Sequence, residues 1–253
     1  MSKIEIVPSM SNREFVEKYA HPGRVGLAGG GGLIDLAIRK AERFVDPAQK
    51  VSLWSHAFVF EGTRADNRHW VIESDLEIHK KHIQLGVQEN RIEKYHDGKF
   101  YPCIAVLDFG LTPAQTAALL CEALDMVANR VRYSIRELFG TLAGLRKPEM
   151  RAQNNPFAHE QSMFCSAFVL HLFRKIGMDL APGLNEKHTT PEDISRTPVP
   201  HETFLLRREP VGLLVRDRIQ EMRKTAKEKR AKRIEKVKTT LAARKLAAAA
   251  RPR

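Results

Sequence analysis

The positive charge of this chain sits almost entirely at one end. Residues 216–253 hold 15 Lys and Arg against 4 Asp and Glu, whereas residues 1–215 hold 27 against 26. A segment dominated by one sign of charge, with sparse apolar positions, cannot collapse into a common core with the rest. The chain therefore reads as two objects: a near-neutral globular domain over residues 1–212 and a basic, Ala/Lys/Arg-rich tail over residues 213–253 that is helical or disordered. The first part is long enough for one domain with a sizeable core.

Three cysteines with no regular spacing, Cys103, Cys121 and Cys165, make no disulfide framework and suit a reducing compartment. The opening Met1-Ser2-Lys3-Ile4-Glu5-Ile6 lacks the apolar stretch of a secretory signal, so cytoplasmic synthesis is expected. No transmembrane segment is expected, because the longest apolar helix pattern, after Phe164, stops at Arg174-Lys175.

A short polar opening leads to an apolar run at 24–28 and then to four glycines, Gly29 to Gly32. A helical spacing over 33–44 follows, ended by Asp46-Pro47. Strand patterns occupy 53–60, 69–74, 83–87, 101–109 and 204–207, with a turn-rich segment at 61–68. Thr112-Pro113 is an N-cap and N1 pair opening a helix to about residue 129. Its apolar face, Ala117, Leu120, Cys121, Leu124 and Val127, is expected to put Cys121 in the core. A polar loop at 146–161 precedes an apolar helix closed by Gly177, and Thr190-Pro191 opens another. A few strands bracketed by helices predict an α+β fold with a small antiparallel sheet.

Cys165 stands where the polar loop becomes the apolar helix. With Ser162 as N-cap it falls in the first turn, where unpaired N–H groups and the helix dipole favour a thiolate. A thiolate nucleophile needs a base. His56 lies inside the first strand pattern, on the face shared with Trp54, Phe58 and Phe60. A symmetric 61–68 turn pairs residues whose numbers sum to 129, which sets Glu73 opposite His56. Paired residues share a face, and a carboxylate there would fix the ring's tautomer and support its cation.

Taken in order, the strand histidine in SHAFVFEG, the Glu in WVIESD, the Tyr in VRYSIRELFG, the helix start FCSAFV and the late TPEDI resemble one family. It is the circularly permuted branch of the NlpC/P60 superfamily, the YiiX-like papain-fold proteins. The resemblance spans roughly residues 24–194. It implies a permuted papain-like domain with Cys165 as nucleophile, His56 as base and Glu73 as third polar group. Tyr133, Ser166 and Trp54 would line the substrate. The implied activity is that of a thiol amidase, peptidase or acyl transferase on an amide or ester, with cell-wall peptides the leading substrate. Without a secretory signal, such an enzyme would reach a wall by lysis or as a virus-borne component. The four-glycine run and the basic tail have no counterpart in the family pattern. The alternative is a non-catalytic structural or binding protein that keeps the fold while its tail takes an anionic partner.

No cofactor or metal is expected. The glycine run lacks the Lys-Ser/Thr that completes a phosphate loop, and Ile34 replaces the third glycine of a dinucleotide fingerprint. His79-Lys80-Lys81-His82 lacks the acidic or Cys ligands of a zinc site. The tail carries no aromatic residue to stack on bases, so nucleic acid, an acidic wall polymer or a membrane surface would be held by charge alone. Truncation after Val215 should leave the domain folded by circular dichroism and abolish retention on heparin or DNA at low salt. Unfolding of the truncated protein would show that the tail belongs to the core.

Overall fold

The computed structural model describes residues 3–7, 10–78, 83–131, 145, 151 and 164–208. The chain divides into two units, Met1–Glu209 and Pro210–Arg253. The basic tail, Tyr133, Ser162 and segment 79–82 all lie outside the described residues.

The strand with the most continuous apolar run sits in the middle of the sheet. Cys103–Asp108 (β6) is buried at its first five positions, as a strand covered on both faces requires. Around it the strands run β1 (Lys3–Ile6), β7 (Glu202–Arg207), β6, β2 (Val25–Gly29), β3 (His56–Thr63), β4 (His69–Ile78) and β5 (Ile83–Arg91). Every pairing is antiparallel except β1 with β7. The fold is α+β, as expected, but the sheet has seven strands and one parallel pair. β1 and the helix Asn12–Tyr19 (α1) occupy the supposed polar opening. β1 is exposed throughout and α1 is only eight residues long, so neither carries a strong periodic signal.

Alternation along the strands sorts the core into two faces. Phe58, Phe60, Val71, Ile104 and Val106 pack with Phe15, Val16 and Tyr19 of α1 and with Tyr95. Ala57, Val59, Ile72, Ala105 and Leu107 point the other way and are equally buried. The helix Cys165–Lys175 (α4) packs across β3 and β4. Phe168, Val169, Leu170, Leu172 and Phe173 of α4 are fully buried, which fits a helix apolar around most of its circumference. It ends where the sequence marks its end. Gly177, at φ 80°, lets its own N–H reach the Arg174 carbonyl and that of Met178 the Phe173 carbonyl.

The β3–β4 register departs from the symmetric hairpin. Val59 pairs with Ile72 and Phe60 with Val71, and a bulge follows at Gly62, whose φ of 119° suits glycine. Continued back along the strand, this register sets His56 opposite Asp75 and makes Glu73 its diagonal neighbour. The shift is two residues, so Glu73 keeps the face on which His56 lies.

The remaining helices are Leu33–Ala41 (α2), Pro113–Ala128 (α3) and Pro191–Ser195 (α5). Thr112 caps α3 as expected, in a box with Gln115. The predicted core face of α3 is wrong, however. Leu119, Ala123 and Met126 are the buried residues, and Cys121 is exposed. α3 is rich in Ala and Leu around its whole circumference, so periodicity alone did not fix which stripe faces inward. Native protein treated with iodoacetamide should be alkylated at Cys121 as an accessible thiol, whereas Cys103, fully buried, should react only on unfolding. Peptide mapping by mass spectrometry separates the two.

Candidate active site

His56 is the first residue of β3. Its ring stacks 6.0 Å from Phe58 and 6.4 Å from Tyr95, which in turn stack on each other at 4.4 Å. This aromatic column holds the imidazole plane. His56 Nε2 lies 2.6 Å from Glu73 Oε2, which leaves Nδ1 as the ring nitrogen open to Cys165, a residue close enough to raise the imidazole pKa. The His56 side chain is 12% exposed and that of Glu73 is fully buried; Cys165 is 3% exposed. Glu73 by a hydrogen bond and Cys165 by its charge thus both act on the same imidazole.

Phe164, rather than Ser162, is the N-cap residue of α4, so Cys165 is its first helical residue. α1, α3 and α5 are each closed by a Ser or Thr capping box, whereas the N-cap residue of α4, Phe164, makes no side-chain cap hydrogen bond. Among the described residues the N–H groups of its first turn are therefore open beside Cys165, together with the positive end of the helix dipole.

Glu73 is surrounded by donors. Oε2 accepts from His56 and from the Tyr95 hydroxyl; Oε1 accepts from Asn90 Nδ2 at 2.7 Å and from Lys94 Nζ at 2.8 Å. Burial alone would raise the pKa of the carboxyl. The Lys94 ammonium, then the hydrogen bond and charge of His56, outweigh burial and hold Glu73 well below the usual carboxylate range. Burial likewise pulls His56 toward its neutral form. The charge and hydrogen bond of Cys165, followed by the Glu73 bond, reverse that and raise the imidazole well above its ordinary pKa. Tyr95 is pushed up first by burial and then by Glu73, so it stays a neutral donor.

Asn90, Lys94 and Tyr95 are absent from the sequence reading, although a signal for them existed. β4 and β5 pair residues whose numbers sum to 161, with Glu73 opposite Gln88. Asn90 is then the diagonal neighbour of Glu73, and the 3-10 turn Ile92–Tyr95 follows directly. Of the proposed lining residues, Trp54 is 5% exposed and Ser166 is fully buried. The Ser166 hydroxyl donates to the Thr189 carbonyl at 2.8 Å, which ties α4 to the segment before α5.

His56, Glu73 and Asp75 each offer a metal-ligand atom, all within 4.8 Å of one another. Lys94 Nζ is bonded to both carboxylates. An ammonium there repels a divalent ion, so the set is a salt-bridged cluster with its cation built in rather than an open coordination site. The glycine run is also closed from within. Gly32 N–H donates to Asp35 Oδ2 at 3.0 Å, and a side chain at Gly30 or Gly32 would meet that carboxylate at 2.5 or 2.7 Å. The anion place at the start of α2 is filled by the protein's own Asp35, which agrees with the absence of a phosphate-loop signature.

No family model matches the chain, and no curated protein matches it. Among solved structures it is similar to metalloprotein yiiX from Escherichia coli O157:H7, with a TM-score of 0.46 and 12% identity. The match covers 76% of this chain and 98% of that one. No helix among the described residues is long and apolar enough to cross a membrane.

A second buried carboxyl lies near Cys165. Glu42 is fully buried, and neither of its oxygens accepts a hydrogen bond among the described residues. The nearby Ser52 hydroxyl donates to Glu192 Oε2 at 2.7 Å and only partly offsets the burial of Glu42. Burial pushes Glu42 well above the carboxylate range, with Glu192, Asp193 and Cys165 adding to the effect. A raised folded-state pKa contributes stability that is complete below the unfolded value near 4.5 and is lost as pH rises through the folded one. Glu42→Gln should therefore match wild type in thermal melts at pH 4 and exceed it by a few °C at pH 8. An equal difference at both pH values would refute the neutral assignment.

Proposed function

We propose that this domain is a cysteine hydrolase or acyl transferase acting on an amide or ester. The observation that carries the reading is the junction of Cys165, at an uncapped helix start, with a histidine oriented by a buried carboxylate. His56 takes the proton of Cys165 Sγ, and the sulfur attacks the substrate carbonyl carbon. The oxyanion that forms is within the province of the first-turn N–H groups of α4, that of Cys165 first. His56 then gives its proton to the leaving nitrogen or oxygen as the carbon–heteroatom bond breaks, leaving a thioester on Cys165. Water or another acceptor, deprotonated by His56, releases the acyl group and regenerates the thiol. Throughout, Glu73 stays ionised and fixes the ring through Nε2–H, so that Nδ1 faces the sulfur.

The motif resemblance supports a peptide amide, cell-wall peptides first, within a permuted NlpC/P60-like family. The charge of residues 216–253 supports an anionic polymer as a second partner, held by the tail independently of the site. Incubation with a panel of wall peptides and acyl esters, followed by mass spectrometry of intact protein and products, tests the chemistry. Wild type should show an acyl adduct on the Cys165 peptide and released product. Cys165→Ala and His56→Ala should each lose turnover by about a thousandfold or more, since members of such a unit are not additive. Glu73→Gln should lose less. Normal turnover by His56→Ala would make the His56–Glu73 pair structural and the hydrolase reading wrong.

A further inference from the structure

We infer that Lys94 is a positioning residue, an internal counter-ion that keeps Glu73 an anion throughout the reaction and so keeps His56 aimed at Cys165. The inference deepens the hydrolase reading and rests on it. Of the four donors around Glu73, Asn90 and Tyr95 are neutral, and His56 is charged only while it holds the proton of Cys165. After His56 passes that proton to the leaving group, Lys94 is the cation left on Glu73. Asp75 lies two residues along the same face of β4 and is bonded to the same ammonium. Without Lys94, two carboxylates would face each other, one of them fully buried, and like charges so placed make one take up a proton. A protonated Glu73 is a much poorer acceptor for His56 Nε2–H, and the ring loses its anchor.

The other charged or titratable groups facing this cluster do not replace Lys94. Among the described residues they are Cys165, which acts on His56, Tyr101, which acts on Lys94, and Asp35, which acts on Tyr101, and none of these can carry a positive charge. Burial disfavours the ammonium, but Glu73 and then Asp75 raise Lys94 above the usual lysine range, so its charge persists at any pH at which the protein works.

The full chain carrying Lys94→Met, and separately Lys94→Arg, is to be followed by histidine-ring NMR between pH 4 and 9 and by the pH profile of kcat/KM. In wild type the His56 ring should report no carboxylate titration in that range. Lys94→Met should add one between pH 5 and 8 and move the acid limb of kcat/KM upward by at least about one pH unit, and Lys94→Arg should restore both. If Lys94→Met does not fold, Lys94→Gln keeps a polar donor without the charge, leaves both carboxylates in place, and is read in the same way. An unchanged His56 titration in a folded variant, or a loss of activity with an unmoved pH limb, would overturn the role of Lys94. The NMR measurement needs no substrate, so absence of turnover in wild type would defeat the hydrolase reading while the ring titration still decides this one.

Discussion

One buried charge governs this site. Glu73 is fully buried on a strand, where an unpaired carboxylate would be neutral. It stays ionised because four donors from β3, β5 and the 3-10 turn after β5 converge on its two oxygens. Removing one partner of such a cluster typically costs about 3–5 kcal/mol, because the surviving charge is stranded. The hairpins must therefore close in one register, and the turn Ile92–Tyr95 must fold back onto β4. The same arrangement that satisfies Glu73 puts the Tyr95 ring against Phe58 and His56, so charge and aromatic stacking enforce one geometry.

Cys165, the proposed nucleophile, comes from a different kind of element. α4 is anchored by its buried apolar residues, and its final turn is closed by Gly177. The rigid body of the helix leaves its first turn open, without the capping side chain that α1, α3 and α5 possess. In those helices a Ser or Thr occupies the first-turn N–H groups; in the proposed reaction those of α4 serve the sulfur and the oxyanion instead. The Ser166 hydroxyl, turned back to Thr189, helps to fix this end without obstructing it. Sheet and helix thus supply separate halves of the proposed site, and each half is held by packing outside it.

Two features that invite a ligand reading are closed by the protein itself. The glycine run wraps the Asp35 carboxylate, and the His56–Glu73–Asp75 group contains the Lys94 ammonium. In both cases a side chain of opposite sign to the site already occupies it, an outcome that motif spacing does not register.

What the sequence determined by itself is local. The expectation of a neutral domain and a basic tail rests on charge alone. The ends of α3, α4 and α5 follow from Thr112, Gly177 and Thr190, because caps act over a few residues. The placing of His56 and Glu73 on one face survived a misjudged register because the two-residue shift preserved the period of the strand. Tertiary structure decided everything that depends on which surfaces meet. It chose the stripe of α3 that turned inward and left Cys121 outside, it built β1 and α1 out of a polar opening, and it brought Asn90, Lys94 and Tyr95 around Glu73. Those residues become neighbours only when β5 pairs with β4, and the register of that pairing is a property of the two strands together that neither strand's own period carries.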